Sequence, residues 1–265
     1  MLYSLRMYVD THCHLDFAAF DSSRSELMSA CLENNIRHFL VPSTTYESWQ
    51  KVTQLALIYP MWRVAFGLHP YFLHSESIMN VEKLGDTCEQ GGAVAIGEIG
   101  LDFWPDAMDV EVQKHFFGAQ LSIARELNLP IILHARKSYD VALKMISDAN
   151  HTSGGIVHAF NGSLEQAKRF VERGFLLGIG GTITYPRAKK AHRVVQQLED
   201  QAYVLETDSP DMPLHGFQGQ MNTPLNIPKV AFCLADLRGQ SVNDIAKQAK
   251  TNLLRLFPEW YGDER

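Results

Sequence analysis

Eight short apolar segments recur along the chain, separated by stretches that are long enough for a helix. We interpret them as strands over residues 6–10, 36–41, 62–67, 93–96, 131–136, 155–158, 175–179 and 203–208. Parallel strands need a crossover of helical length, so the alternation predicts an α/β protein with a (β/α)8 TIM-barrel fold. An open doubly wound sheet alternates in the same way, but no phosphate-binding G-x-G-x-x-G follows the first strand.

The segments between the predicted strands carry helical signals. Apolar residues recur at helical spacing over 117–127, and Ser163 precedes Gln166 by three residues in the pattern of a capping box. A last apolar stripe runs over 242–256 and ends before Pro258. Because no Gly/Ser/Pro-rich linker interrupts this order, residues 1–265 are expected to form a single barrel domain.

The composition is typical of a globular protein. Of 265 residues, 46% are hydrophobic and 20% are charged. No apolar run approaches the ~20 residues that span a bilayer, and the N-terminus lacks a signal-peptide segment, so we expect a cytoplasmic protein without membrane association. Cysteines 13, 31, 88 and 233 show no C-x-x-C spacing, which argues against a disulfide framework or a structural zinc site.

The chain is acidic, with 24 basic and 30 acidic residues and a formal net charge of −6, so no whole-molecule field attracts a polyanion. Local charge differs from this average, because residues 186–193 include Arg187, Lys189, Lys190 and Arg193. Two interpretations of this basic run stay open. It is either a solvated helix face or a rim that meets substrate phosphate at the mouth of the barrel.

Candidate metal ligands stand at the downstream ends of five predicted strands. His12 and His14 form a His-x-His pair after the first strand, and alternate residues of an extended segment share a face. The fourth, fifth, sixth and eighth strands end with Glu98, His134, His158 and Asp208. A closed barrel brings these strand ends around one axis, at the C-terminal mouth where such enzymes carry out chemistry. Cys13 is expected to point away from the histidines beside it.

Four imidazoles and two carboxylates suit zinc, manganese, nickel or magnesium ions. Six ligands exceed the three or four that one catalytic zinc uses, so two divalent ions are expected, with Glu98 as the bridge because a carboxylate has two oxygens. Two ions about 3.5–4 Å apart can hold a hydroxide and clamp the attacking and leaving oxygens of a phosphoester. Because imidazole binds metal only when it is neutral, activity is expected to fall below about pH 6.

Six motifs occur in order: Asp-Thr-His-Cys-His-Leu-Asp, Gly-Leu-His-Pro, Gly-Glu-Ile-Gly-Leu-Asp, Leu-His-Ala-Arg, His-Ala-Phe and Glu-Thr-Asp-Ser-Pro. On these motifs the chain resembles the TatD family of metal-dependent deoxyribonucleases over residues 8–257. The resemblance implies two ion sites that share Glu98. One is completed by His12, His14 and Asp208, and the other by His134 and His158. The resemblance also implies that Asp208 orients the attacking water or takes its proton.

One stretch departs from the family pattern. Family members commonly carry an Arg-x-Asn-x-Pro-like stretch after the aspartate motif, whereas residues 220–224 read Gln-Met-Asn-Thr-Pro. The missing arginine leaves the substrate preference open and does not affect the expected metal ligands.

Four further residues are expected to support the site. Glu206, in the Glu-Thr-Asp motif, is placed behind the ligands. Arg136 follows the fifth strand and is expected either to pair with Asp102 or to contact substrate phosphate. His69 ends the third strand, where it either binds substrate phosphate or packs under a loop. The remaining histidines end no predicted strand within a motif and are not assigned to the site: His38, His74, His115, His151, His192 and His215.

Three functions are compatible with these patterns. The leading one is an exonuclease-like hydrolase whose substrate is DNA or another phosphodiester. The alternative is a barrel amidohydrolase that cleaves a C–N or ester bond of a small molecule, since such enzymes share the His-x-His pair. Those with two metals often use a modified lysine as the bridge, and no lysine ends a predicted strand here. A non-catalytic barrel is disfavoured because every ligand position is filled. No obligate protein partner is indicated.

Overall fold

Eight parallel strands follow one another around the sheet in the order of the chain. The computed structural model describes residues 7–73, 77–105 and 107–260. The strands are β1 (Tyr8–Asp10), β2 (Ile36–Pro42), β3 (Trp62–Phe66), β4 (Ala95–Asp102), β5 (Ile131–Arg136), β6 (Gly155–Val157), β7 (Phe175–Ile179) and β8 (Tyr203–Leu205). Arg6, predicted to begin the first strand, lies outside the described residues.

The chain beyond β8 joins the chain beyond β1 and completes the barrel at its mouth. The Thr11 backbone N–H donates to Leu205 O at 3.0 Å, and the Asp208 N–H donates to His12 O at 2.9 Å. These bonds place the segment after β1 beside the segment after β8. The expected TIM-barrel fold is confirmed.

Helices connect the strands on the outside of the sheet. They are α1 (Arg24–Glu33), α2 (Tyr46–Ile58), α3 (Ser77–Val81), α4 (Leu84–Gln90), α5 (Val110–Glu126), α6 (Tyr139–Asp148), α7 (Leu164–Val171), α8 (Lys189–Gln197), α9 (Ile227–Arg238) and α10 (Val242–Leu256). The predicted capping box opens α7, since Ser163 Oγ accepts from the Gln166 N–H at 3.1 Å and Gln166 Oε1 accepts from the Ser163 N–H at 2.9 Å. In the described part of the chain, no helix is both long and apolar enough to cross a membrane.

The barrel interior is filled by apolar side chains below the mouth. Each strand contributes one residue to this cluster: Val9, Leu40, Ala65, Ala95, Ile132, Ile156, Leu176 and Val204. Phe257 and Trp260, which follow α10, pack against the same cluster and are buried. Since side chains two residues apart on a strand share a face, the next inward positions lie one layer closer to the mouth, where His134 and His158 stand.

The fourth strand differs from its prediction. It was expected over 93–96 but spans Ala95–Asp102, so Glu98 lies inside the strand instead of beyond its end. The register with β5 shows why: Ile96 pairs with Ile131 and Ile99 with Leu133, so three steps on β4 face two on β5. This β-bulge inserts one residue, which re-aims nearby side chains and lets pairing continue past two glycines.

Candidate metal centre

The six residues predicted as metal ligands converge at the C-terminal mouth of the barrel. His12 and His14 follow β1, His158 follows β6 and Asp208 follows β8, while Glu98 and His134 lie within β4 and β5. Four of the six are buried, and the side chains of His134 and Asp208 are each 15% exposed. The burial places them below the rim, where bulk water competes poorly for their lone pairs.

Two imidazoles and two carboxylates form a first donor group. His12 Nε2 and His14 Nε2 lie 3.2 Å apart. Glu98 Oε2 lies 3.3 Å from His12 Nε2 and 3.4 Å from His14 Nε2. Asp208 Oδ1 lies 3.4 Å from the first nitrogen and 3.6 Å from the second. Four potential ligand atoms therefore face one small volume.

A second donor group lies on the other side of Glu98. His134 Nδ1 and His158 Nε2 are 3.3 Å apart, and each lies 3.1 Å from Glu98 Oε1. The two carboxylate oxygens of Glu98 therefore face different pairs of histidines. This is the arrangement that a bridging carboxylate requires.

Hydrogen bonds fix the ring tautomers of two of these histidines. The Nδ1–H of His14 donates to the backbone oxygen of Pro42 at 3.2 Å, which leaves the Nε2 lone pair free to face the first group. The Nε2–H of His134 donates to Asp102 Oδ2 at 3.2 Å, which leaves the Nδ1 lone pair free to face the second. Orientation of this kind is usual for metal-binding histidines.

The carboxylates of the cluster attract positive charge. Burial alone raises the pKa of Glu98, but electrostatic attraction to the neighbouring imidazoles, above all to His158, outweighs it and holds that pKa well below its usual range. Burial lowers the pKa of His14, whereas hydrogen bonds to Asp208 and Glu98 raise it to about 10. In the absence of another cation, the cluster therefore takes a proton onto the His14 imidazole, whereas burial lowers the pKa of His12.

The donor atoms fit a divalent cation better than they fit one another. His12 Nε2 and His14 Nε2 lie at hydrogen-bond distance from each other, although neither ring has a carboxylate oxygen that could accept a hydrogen bond from the other. Imidazole nitrogens and carboxylate oxygens are the donors that zinc and related ions accept. Three clusters of the described chain could each hold an ion: His12, His14 and Asp208; His69, Glu98 and His134; and His12, His158 and Glu206.

His69 is part of this second cluster. Its Nε2 lies 3.4 Å from Glu98 Oε1, and its Nδ1 accepts the backbone N–H of Tyr71 at 3.1 Å. Burial lowers the pKa of His69 to about 4, so the ring is neutral and its proton sits on Nε2, facing Glu98. The geometry adds a contact with Glu98, and the phosphate contact expected from the sequence stays a prediction.

The expected support residues are also in place. Arg136 Nη1 lies 3.9 Å from Asp102 Oδ2, and its guanidinium carbon lies 3.9 Å from the centre of the Trp104 ring. Asp102 is therefore held between Arg136 and His134, as the bracing interpretation requires. Half of the Arg136 side chain is exposed, so it also reaches the open space above the site.

Glu206 is buried behind His158. Its Oε1 accepts the backbone N–H of Ala159 at 2.6 Å and lies 3.7 Å from His158 Nδ1. Ala159 has a φ of 45°, a left-handed conformation that is costly for alanine. The carboxylate therefore stabilises the backbone turn that follows His158.

A cleft opens above the donor groups. His134, His158 and Asp208 line it together with Trp104, and its volume is about 1020 Å³. Three cations, Arg136, Lys137 and Lys190, line the same cleft. Lys137 Nζ lies 4.2 Å from the centre of the Trp104 ring, so the wall combines an aromatic face with positive charge.

A family model described as TatD related DNase matches residues 9–258. The chain belongs to the TatD family. It is 39% identical over 252 residues to the uncharacterized metal-dependent hydrolase YjjV of Escherichia coli K12, with 94% of this chain and 97% of that protein covered. An uncharacterized metal-dependent hydrolase of Haemophilus influenzae is 34% identical over 259 residues, with 94% and 99% covered.

The crystal structure of YjjV, a TatD homolog from E. coli K12, superposes with a TM-score of 0.92 at 38% identity and covers 96% of this chain and 99% of that one. Family membership and the clustered ligands make this TatD-family chain a metal-dependent hydrolase.

One buried pair in this TatD-family site went unassigned in the sequence analysis. Asp10 Oδ2 accepts the Thr207 hydroxyl at 2.6 Å, and Asp10 Oδ1 accepts the backbone N–H groups of Thr207 at 3.0 Å and His12 at 3.3 Å. Burial raises the pKa of Asp10 to about 8 despite these bonds. The pair ties the segment carrying His12 to the segment carrying Asp208. Both residues lie inside quoted motifs, which was the available signal.

The described histidines and the cysteines that the sequence analysis did not assign to the site lie outside the donor groups. Of the unassigned histidines, His74 lies outside the described residues, and the other five belong to none of the candidate metal clusters of the described chain. All four cysteines are free, and the buried Sγ of Cys13 is directed to Leu40 O, away from the donor groups.

Proposed function

We propose that the protein is a deoxyribonuclease that uses two divalent ions, zinc, manganese, nickel or magnesium, to hydrolyse phosphodiester bonds at strand ends. One observation carries the proposal: Glu98 presents Oε2 to His12 and His14, and Oε1 to His134 and His158. A single-ion site has no need for a carboxylate divided in this way.

Bound ions would supply Lewis-acid activation of water and neutralise charge on the phosphate oxygens. Asp208 would accept the proton of the attacking water. Burial raises the pKa of Asp208, but His158, His14 and His12 lower it by more than burial raises it. The pKa therefore lies below its usual value, and the carboxylate is ionised at neutral pH. Its side chain is 15% exposed and lines the cleft, whereas Glu98 is only 2% exposed. Asp208 is therefore the carboxylate of the cluster best placed to contact water on the substrate side.

The backbone directs Asp208 toward the cleft. Its φ of 59° is left-handed, a region that aspartate tolerates better than most residues, and its N–H donates to His12 O at 2.9 Å. The hydrogen bond holds the turn in place. The side chain therefore leaves the strand direction at the mouth, where it faces both the first donor group and the cleft.

The cleft supports a nucleic-acid substrate. Its volume of about 1020 Å³ is at the upper end of small-molecule sites. Three cations, Arg136, Lys137 and Lys190, line it in a chain of net charge −6, and of its two carboxylates Asp140 pairs with Arg169 while Asp208 belongs to the first donor group. Phosphates attract such residues. A cytoplasmic location and the lack of an obligate protein partner stay predictions.

The test compares substrates on one preparation. Metal-stripped protein is reloaded with zinc, manganese, nickel or magnesium, and the bound ions are counted by elemental analysis. We expect two ions per chain and metal-dependent release of nucleotides from end-labelled DNA. Turnover of lactones or hydantoins with no cleavage of DNA would favour the amidohydrolase alternative and overturn the proposal.

A further inference from the structure

A second cavity adjoins the cleft above the donor groups. Its volume is about 470 Å³, and it lies between the loop before α8 and the segment around Met212. Four residues line both spaces: Asn161, Thr182, Lys190 and Met212. The two spaces therefore form one continuous trough that runs from His158 and Asp208 toward the start of α8.

The charge of the second cavity is of one sign. Arg187, Lys189 and Lys190 line it, and no carboxylate is among its lining residues in the described part of the chain. None of the three has a carboxylate oxygen within ion-pair distance among residues 7–73, 77–105 and 107–260. Lys190 Nζ donates to the backbone oxygen of Asn161 at 3.1 Å. Three cations therefore face this space without a neutralising partner.

The walls of the cavity are fixed by hydrogen bonds. The Tyr185 hydroxyl donates to Pro213 O at 2.7 Å, and Thr184 Oγ1 accepts the His215 N–H at 2.9 Å. These bonds fasten the loop before α8 to the segment after β8. The Tyr185 ring also lies 5.5 Å from the guanidinium carbon of Arg187, so an aromatic face stands beside the cations.

We propose that the second cavity binds a phosphate of the nucleic-acid strand other than the one being hydrolysed. The inference rests on the proposed function, and it defines the substrate as a strand that extends beyond the scissile bond. A small phosphodiester has no second phosphate for Arg187 and Lys189 to bind. A polyanionic strand lying along the trough places one phosphate at Asp208 and His158 and another among the cations.

The first experiment varies substrate length on the metal-loaded protein. A dinucleotide with a single phosphodiester is compared with oligothymidylates of increasing length, and kcat/KM is measured at several salt concentrations. We expect kcat/KM to rise by at least about tenfold once a second phosphate is present, and to fall steeply with salt only for the longer substrates.

The second experiment removes the two cations that line the second cavity and not the cleft. The variant Arg187→Gln/Lys189→Gln is compared with Lys144→Gln/Lys168→Gln, which makes the same change in net charge with exposed residues that line neither space. The first variant should lose about tenfold in kcat/KM on long strands, with a salt slope flatter by about 0.7 for each lost phosphate contact, and should keep wild-type kcat/KM on the dinucleotide. The control should retain both values.

Equal losses on dinucleotide and long strand, or none on either, would overturn the subsite and leave the nuclease activity standing. If the wild type cleaves no phosphodiester of any length, the proposed function fails. Fluorescence anisotropy with a labelled oligothymidylate then decides the subsite separately. Binding weakened at least about tenfold in the first variant alone supports it, whereas equal binding by all three proteins overturns it.

Discussion

Gly178 in β7 lies directly against the carboxylate of Glu206 in the barrel interior, and a Cβ built on Gly178 would overlap that carboxylate. Glu206 in turn holds the Ala159 N–H at 2.6 Å and lies 3.7 Å from His158 Nδ1. Because Gly178 has no side chain, there is room for the Glu206 carboxylate, which supports His158 after β6. Glycine is required at this position by space, not by backbone conformation.

Gly178→Ala should therefore weaken metal binding without contacting a ligand. The added methyl displaces Glu206 and releases the turn after His158, and lost support of this kind costs about 10–100-fold in metal affinity. We expect a loss of about 1–3 kcal/mol in the free energy of unfolding as well. Titration with metal and urea denaturation check both values. Gly118→Ala is the matched control, because its Cβ would meet only Met145 at 3.8 Å. Loss of affinity in both variants would contradict this account.

Asp208→Asn should lower kcat by at least about 100-fold, because a neutral amide cannot take the proton of water and binds metal weakly. The fold should survive, since the Asp208 backbone N–H still donates to His12 O. Steady-state kinetics at saturating metal measure the effect, with Asp236→Asn, an exposed residue of α9, as the control. Near-wild-type turnover of Asp208→Asn would show that another group accepts the proton.

Asp102→Asn should affect the second donor group alone. The Asp102 carboxylate accepts from His134 Nε2 at 3.2 Å, and its backbone N–H is fixed by Gln113 Oε1 at 2.7 Å, so the strand should stay in place. Loss of the charge should weaken the binding of one of the two ions by about 10–100-fold and leave the affinity for the other ion unchanged. Calorimetric titration resolves the two events. Uniform weakening of both ions would contradict the division of ligands around Glu98.

The sequence predicted the strands best where their residues are uniformly apolar. β5 and β7 have the predicted bounds, whereas β6 and β8 end before His158 and Glu206, because the polar ends leave the ladder. The fourth strand was missed beyond Ile96, since Gly97 and Gly100 look like a loop and a β-bulge has no sequence signature of its own. That residues 1–265 form one domain stays a prediction, because both ends lie outside the described residues.

The ligands were predictable because strand ends in a closed barrel meet at one mouth, so chain order is enough to bring them together. The hydrogen bonds that orient the ligands were not predictable from the sequence. The partner of His14 is the backbone oxygen of Pro42, and a backbone carbonyl has no identity in the sequence. Asp10 and Thr207 lie in the motifs, but they are 197 residues apart along the chain. Their hydrogen bond forms only because the segment after β8 lies beside β1.

Protons compete with metal ions for the imidazoles of the cluster. Burial lowers the pKa of His14, but hydrogen bonds to Asp208 and Glu98 raise it to about 10, and the charges of Glu98 and Asp208 raise the pKa of His158 well above its usual range. The His14 ring therefore carries a proton at pH 7 in the metal-free protein and must lose it to bind an ion. The acid limb of activity, expected below about pH 6 from ordinary histidines, should therefore move to higher pH at limiting metal.

The competition between protons and metal ions also determines how the stability of the fold changes with pH. The His14 imidazolium stabilises the metal-free fold fully below the unfolded pKa of about 6.5, and this contribution is lost as pH rises through about 10. Metal affinity changes in the opposite sense and should rise about tenfold per pH unit for each proton released. The increase in Tm on adding metal should therefore be larger at pH 9 than at pH 7.

Calorimetric titration at pH 7 in two buffers of different ionisation enthalpy counts the protons released on metal binding. We expect at least one from the wild type, and one fewer from His14→Gln, because that variant has no imidazolium to discharge. His115→Gln, on the exposed face of α5, removes a histidine far from the donor groups and should release as many protons as the wild type. If His14→Gln released the same number as the wild type, the proton would reside elsewhere, and His14 would not be a ligand that protons and metal ions share.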